Sequence, residues 1–246
     1  MTLNKNNVEI KHYGNGVFRL RGIYDKTQLS NFYKFLEKKV DKDNLINLLH
    51  GKVLPMLFDY YPDIKDFLIT DKLLSAIENT LDIKPEELKI SSHSDYHINT
   101  LGGWHRDLGD GTYASYSDAA NSKIYKFALI KQNPLNKINL STQFFINKKI
   151  VKPNLLDGDV ILFPTYILHR GYPGNFIVSN LRRILFRVMR YDKLDYIITN
   201  LNKLFIKSNR EAVFFSFGLN SKTFQEFELT NIRRAKDQIK NQIEKY

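Results

Sequence analysis

Hydrophobic and polar positions change rhythm twice along this chain. Residues 7–24 predict extended structure with a turn at Gly14-Asn15-Gly16. At Asp25 the spacing becomes helical. Leu29, Phe32, Phe35 and Leu36 fall on one helical face, and Asp25 and Gln28 stand at capping-box distance. Residues 43–81 predict two or three further helices, interrupted near Pro62, and Pro85-Glu86-Glu87 predicts a short turn or helical piece. From Leu88 the period shortens. Lys89-Ile90-Ser91-Ser92 leads into an alternation of His93, Asp95, His97 and Asn99 at period two. Short β-rich runs follow, from Ile124 to Ile130, Ser141 to Ile146, Val160 to Phe163 and Arg182 to Met189. Turn residues separate them at Asn133-Pro134, Asn147-Lys148, Asp157-Gly158-Asp159 and Tyr172-Pro173-Gly174-Asn175. The tail from Lys222 to Tyr246 returns to helical spacing, with Phe224, Phe227, Ile232, Ala235, Ile239 and Ile243 on the apolar side.

Strands without long helices between them predict an antiparallel sandwich or barrel, not a doubly wound sheet. The expected organisation is one α+β domain over 1–246. It has a mainly helical flank at 1–87, a β-core at 88–192 and a helical C-terminal extension at 193–246. A chain of 246 residues, 43% hydrophobic and 13% aromatic, is large enough to bury a sizeable core. No run approaches the roughly 18 apolar residues of a membrane span. The first residues lack the apolar stretch of a secretory signal, so a cytoplasmic protein is expected.

Composition narrows the chemistry. There is no cysteine, so disulfides and thiolate metal sites are excluded and any metal must be held by His, Asp or Glu. The net charge of +11 is unevenly placed: between Asn121 and Arg190, 12 Lys and Arg stand against 2 Asp. A basic surface of this kind concentrates anions, whether nucleic acid, an anionic metabolite or an acidic membrane, and it also fits a plain basic protein. Of six histidines, His93, His97, His105 and His169 fall in the β-core.

Trp104-His105-Arg106-Asp107 is the strongest local signal. In extended backbone, residues i and i+2 point to the same side, so His105 and Asp107 suit one metal ion together. A third ligand would complete the two-His, one-carboxylate face that leaves positions open on iron(II). His93-Ser94-Asp95 repeats the pattern and stays open as a rival. Beyond the first motif come Leu156-Asp157-Gly158-Asp159-Val160-Ile161-Leu162-Phe163-Pro164, then Leu168-His169-Arg170-Gly171, then Arg182-Arg183-Ile184-Leu185-Phe186-Arg187-Val188. Arg182 shares one strand face with Ile184, Phe186 and Val188. An inward arginine among apolar residues needs an anion, and its planar fork suits a carboxylate.

The ordered set, H-x-D, then G-D-V with an apolar run ending in His-Arg-Gly, then Arg-Arg on a strand, resembles the phytanoyl-CoA dioxygenase-like branch of the iron(II)/2-oxoglutarate oxygenases. The resemblance covers roughly residues 88–192. It implies a double-stranded β-helix, a jelly-roll or cupin-like barrel, with N-terminal and C-terminal helices packed outside. It implies Fe(2+) on His105, Asp107 and His169, with 2-oxoglutarate as co-substrate, its far carboxylate on Arg182, and O2 as oxidant. The reaction it implies is hydroxylation of an unactivated C–H bond in a small metabolite. His97, Asn99 and Tyr125 (or its neighbour Lys126) become candidates for co-substrate contacts. Trp104, Tyr113 and Tyr116, beside or within the loop from Leu108 to Ser122, become candidates for substrate contacts.

Three other readings stay open. The same barrel serves cupin-like metal-binding proteins and metalloenzymes that are not oxygenases. The basic charge suits a nucleic-acid-directed oxygenase, although Asn180-Leu181-Arg182-Arg183 does not reproduce the signature of that group. A basic binding protein without catalysis is the third. Charge favours an anionic substrate, and neither the substrate nor the oligomeric state is legible.

Overall fold

The computed structural model describes residues 2–3, 8–41, 44–48, 51–100, 104–107, 123–133, 139–171, 197, 201 and 210–243. A β-hairpin opens the larger part of it: β2 (Glu9–Gly14) and β3 (Val17–Arg21), with the short β1 (Thr2–Leu3) beside β2. Helix α1 (Lys26–Lys39) begins where the capping box was expected. Asp25 accepts from the Gln28 backbone at 2.8 Å, and Gln28 accepts from the Asp25 backbone at 2.9 Å. Leu29, Phe32 and Leu36 are buried, as the 3.6-residue spacing requires.

Three short helices follow, α2 (Leu57–Tyr60), α3 (Pro62–Leu68) and α4 (Asp71–Leu81). Pro62 opens α3, where its missing N–H costs nothing, and Thr70 caps α4 through Leu73 N at 3.2 Å. Next come β6 (Leu88–Ile98), β7 (Tyr125–Ile130), β8 (Thr142–Ile146), β9 (Lys149–Val151), β10 (Val160–Pro164) and β11 (His169–Gly171). Helix α5 (Lys222–Ile243) lies at the C-terminal end. Among the described residues, no helix is long and apolar enough to cross a membrane.

Two regions depart from the sequence reading. Residues 193–246 were expected to be a helical extension, yet Glu211–Leu219 forms β12, a nine-residue strand. It pairs with β6 on one side and β7 on the other. Its sequence, EAVFFSFGL, is apolar or aromatic at nearly every step, because a strand buried on both faces shows no alternation. The flank at 1–87 is also less helical than expected. Besides the hairpin, it holds β4 (Ile46–Leu48) and β5 (Gly51–Pro55), where helix was expected. Gly51 explains the second case. Its φ is +127°, and a Cβ there would stand 2.4 Å from the Ile98 carbonyl oxygen. That close approach to β6 suits a strand end and not a helix. The expected strand from Arg182 to Met189 lies outside the described residues.

The nine-stranded sheet has the order β1-β2-β3-β10-β7-β12-β6-β5-β4, and a three-stranded sheet has the order β11-β8-β9. Every pairing is antiparallel. One face of the large sheet carries Phe127, Leu129, Val160, Leu162, Phe215 and Phe217 against the helical residues Phe32, Leu36, Leu57 and Phe58. The other face carries Ala128, Ile130, Ile161, Phe163 and Ala212 toward Phe144 and Ile146 of the small sheet. Both faces are therefore dry, and β10 is buried at all five positions. The turn before β10 is secured by charge. Asp159 accepts from Arg21 through both Nε, at 2.9 Å, and Nη2, at 2.8 Å, and from Leu156 N at 2.8 Å. Gly158 takes φ +84°, where a Cβ would meet Leu29 Cδ1 at 2.5 Å.

Phe127 and Phe215 stack across the central strands with centroids 4.3 Å apart, and both are buried. Phe127→Ala is expected to cost about 3–5 kcal/mol. A lower urea midpoint with unchanged slope would show it. A loss below about 1 kcal/mol would mean that this pair is not part of the core.

Candidate metal centre

His105 and His169 are brought together by their own backbones. The His105 N–H donates to the His169 carbonyl at 2.9 Å, and the His169 N–H returns the bond at 2.9 Å. Two residues on, the Asp107 N–H donates to the Thr165 carbonyl at 2.9 Å, and Thr165 is itself tied to Ile124. The H-x-D segment is thus laid along β11 as an extended piece. That puts His105 and Asp107 on one side, facing His169.

The side chains then converge. His105 Nε2 lies 3.8 Å from Asp107 Oδ1, and His169 Nε2 lies 3.5 Å from Asp107 Oδ2. One ligand atom from each of the three lies within 4.8 Å of the others. Among the described residues, this is the group of His, Asp and Glu side chains with that property. His169 Nδ1 stands 3.0 Å from the Ile167 carbonyl. A carbonyl only accepts, so Nδ1 carries the proton and Nε2 keeps its lone pair for a metal. Phe163, with its ring centroid 4.8 Å away, and Phe144, at 6.2 Å, hold the ring. His105 has a 44% exposed side chain and forms the open side, while Asp107 and His169 are buried.

Asp107 is the electrostatic focus. Its Oδ2 is buried and has no hydrogen-bond partner among the described residues. The nearest cation is Lys126 Nζ, at 3.3 Å, close enough for Coulombic attraction without an aligned hydrogen bond. Burial pushes the Asp107 carboxyl up. The Lys126 ammonium, followed by His169 and His105, outweighs burial and holds it well below the usual carboxylate range. A buried carboxylate flanked by two imidazoles, with one oxygen lacking a hydrogen-bond partner among the described residues, suits a divalent cation. The residues present fit such an ion.

The inner face of β6 continues the polar surface. His93 Nε2 lies 3.4 Å from Asp95 Oδ1, and His97 Nε2 lies 3.9 Å from Asp95 Oδ2. The rival His93-Ser94-Asp95 motif is therefore the middle of a strand, as its alternation suggested, and its carboxylate is shared by two histidines. Burial would raise the Asp95 carboxyl, but His93 and His97 bring it below its ordinary value.

The remaining candidates separate by face. His97 stays on the inner side, edge-on to Phe214 at 4.9 Å, with Nδ1 2.8 Å from Thr100 Oγ1. Asn99 does not present a free amide oxygen. Its Oδ1 accepts from Arg210 N at 2.8 Å, and its own N–H donates to the Arg210 carbonyl, also at 2.8 Å. Asn99 is a latch at the strand end, with φ +56°. Tyr125 turns away: its ring stacks on Phe217 at 5.9 Å in the helix-side core, and Lys126 is the residue that faces Asp107. Trp104 also faces away. It packs edge-on to Phe145, at 6.3 Å, under the Arg170 guanidinium, at 4.5 Å, on the opposite face of the small sheet from His169. A step of one residue along a strand reverses the face, which accounts for both corrections. Tyr113, Tyr116 and Arg182 lie outside the described residues.

Arg210 was missed. It is 4% exposed, and its Nε and Nη2 find no hydrogen-bond partner among the described residues. Burial pushes its pKa down to about 10. Two residues on, Ala212 pairs with His97, so Arg210 belongs to the inner face of β12. Its only sequence signal is its place just before a strand that was itself unread.

No family model matches the chain, and no curated protein matches it in sequence. Solved structures do match in fold. HygX from Streptomyces hygroscopicus, with nickel and 2-oxoglutarate bound, aligns over 84% of each chain with a TM-score of 0.52 and 12% identity. EctD from S. alaskensis, with bound Fe, aligns over 83% of this chain and 73% of its own, with a TM-score of 0.52 and 13% identity. The non-heme alpha ketoglutarate-dependent carbocyclase SnoK from nogalamycin biosynthesis aligns over 83% and 79%, with a TM-score of 0.54 and 9% identity. At such identities the likeness is one of fold: the antiparallel double-stranded β-helix expected from the sequence.

Burial gives the apo site a pH dependence. His93, His97 and His169 are all held below the ordinary imidazole value by burial, His169 down to about 4. The unfolded chain then binds more protons, so stability is full above about pH 6.5 and falls toward pH 4. His169 alone would account for about 2 kcal/mol of loss near pH 5. Urea midpoints in chelator at about pH 7.5 and about pH 5 should differ accordingly. A flat profile would contradict neutral buried histidines.

Proposed function

We propose that this chain is an iron(II)- and 2-oxoglutarate-dependent oxygenase that hydroxylates an unactivated C–H bond of a small molecule. The observation that carries the reading is the His105, Asp107, His169 set, with the buried Asp107 Oδ2 left without a hydrogen-bond partner among the described residues. The fold it shares with HygX, EctD and SnoK, and its resemblance to the phytanoyl-CoA dioxygenase-like branch, support the same assignment. HygX has been solved with hygromycin B, and EctD with 5-hydroxyectoine, so this barrel accepts small polar molecules in those proteins.

His105 Nε2, His169 Nε2 and an Asp107 oxygen would hold the metal. Iron(II) bound there supplies activation of O2 coupled to oxidative decarboxylation of 2-oxoglutarate to succinate and carbon dioxide. The chain's own residues do the rest. The Ile167 carbonyl fixes the His169 tautomer. Phe144 and Phe163 keep that side of the centre dry. Asp107 occupies the carboxylate position, which favours hydroxylation over halogenation in oxygenases of this kind.

The far carboxylate of 2-oxoglutarate calls for a cationic partner, and a guanidinium matches its planar shape. Arg182 holds the position the motif assigns. Arg210 joins it because it is buried, with Nε and Nη2 lacking a hydrogen-bond partner among the described residues. The substrate would enter past His105, the exposed ligand.

Anaerobic addition of iron(II) and 2-oxoglutarate should produce a weak visible charge-transfer band. His105→Ala and His169→Ala should abolish it, and loss of the anchoring arginine should raise the 2-oxoglutarate concentration needed by tenfold or more, about 1.4 kcal/mol or above. Arg182→Ala and Arg210→Ala thereby identify the anchor. Metal binding without the band would leave a cupin-like metal protein. No metal retention in wild type would sink the assignment.

A further inference from the structure

Lys126, which stands beside the proposed ligand Asp107, is given no task by the proposed reaction. It cannot be a ligand, since an ammonium has donors and no acceptor. Its side chain is only 13% exposed. Its ammonium lies 3.3 Å from Asp107 Oδ2 and 5.5 Å from the Phe214 ring centroid. The other described carboxylate on this face, Asp95, is already shared between His93 and His97. Arg234 and Arg210 add further positive charge nearby, felt by Asp107 and His97 respectively. Among the described residues, Asp107 is the carboxylate that Lys126 pairs with, and Asp95 also feels its charge.

A metal ion makes the same demand on the same oxygen. A dication on Asp107 would stand within a few ångströms of an ammonium in a poorly solvated pocket, and the two repel. A poorly solvated ammonium whose counter-ion has been taken is costly. An anion beside the metal removes both penalties at once.

We propose that Lys126 couples metal binding to the binding of a carboxylate or phosphate group beside the metal, so that each strengthens the other. The inference rests on the metal centre proposed above and goes beyond it. Metal alone binds against the Lys126 charge. Metal with an anion binds with it. Linkage makes the effect reciprocal, typically 5- to 150-fold, or about 1–3 kcal/mol. Lys126 is a positioning residue here and takes no part in the oxidation.

Nickel(II) titration calorimetry separates this from a merely structural role. Wild type, Lys126→Met and Lys126→Arg are each titrated alone, with 2-oxoglutarate and with acetate. Lys126→Met should bind nickel alone about fivefold or more tightly than wild type. Its anion enhancement should fall about tenfold below that of wild type. Lys126→Arg, which keeps the charge, should retain the enhancement and also guards against misfolding of the methionine variant. Loss confined to 2-oxoglutarate identifies the co-substrate as the partner of Lys126. Loss with acetate too shows that any acid group seated there suffices, an anionic substrate included. Equal enhancement in wild type and Lys126→Met overturns the coupling while leaving the metal centre standing. Failure of wild type to bind nickel removes the centre and this inference with it.

Discussion

The centre depends on a single reciprocal pair of backbone hydrogen bonds, between His105 and His169. These residues are 64 positions apart in sequence, and the backbone pair sets their two ring centroids 4.4 Å apart. The small sheet brings them together, by extending through β11 to the H-x-D segment. Once that pair is made, the period of extended backbone places Asp107 on the same side. The Thr165 carbonyl holds it there. Ligand geometry is thus a by-product of sheet closure. A barrel able to form this pair has the three side chains largely organised in advance, which would reduce the ordering cost of holding an ion there.

Sheet closure also explains why the centre is charged so economically. The large sheet is dry on both faces, so each ionisable group on its inner side must find a partner within the fold or wait for one. Asp95 has two histidines. Asp107 has Lys126, and an oxygen with no hydrogen-bond partner among the described residues. Arg210 has no hydrogen-bond partner for Nε or Nη2 among the described residues. A structural ion-pair network would look different, as the outer edge of the same sheet shows. There Arg21 meets Asp159 in a bidentate pair, and Glu9 is close to both Arg19 and Arg21. Outside, carboxylates and guanidiniums meet at close range; inside, Asp107 Oδ2 and Arg210 Nε and Nη2 keep no hydrogen-bond partner among the described residues.

What was legible in the sequence follows from range. The capping box at Asp25, the break at Pro62 and the strands around residues 125–164 are local patterns, and the structure contains them. The pairing of His105 with Asp107 is local as well, since a two-residue spacing fixes a shared side. His169 was reachable only through the order of motifs, because no local pattern encodes a partner 64 residues away. Strand β12 was illegible for the opposite reason. A strand covered by helices on one face and the small sheet on the other has no alternation left to read.

The errors at the site share one cause with that missed strand. Tyr125 and Lys126 are adjacent, and so are Trp104 and His105; each pair straddles the two faces of a sheet. Parity along a strand decides which member faces the metal, and parity is read from alternation. In β7 the outward set, Tyr125, Phe127 and Leu129, is as apolar as the inward set beyond Lys126. Hydrophobicity cannot rank two such faces. Charge can. A lysine in an otherwise apolar six-residue strand is tolerated only where a carboxylate or an incoming anion meets it. The aromatic residue draws attention as a ligand contact, but the lone charged residue beside it is the better guide to the inner face.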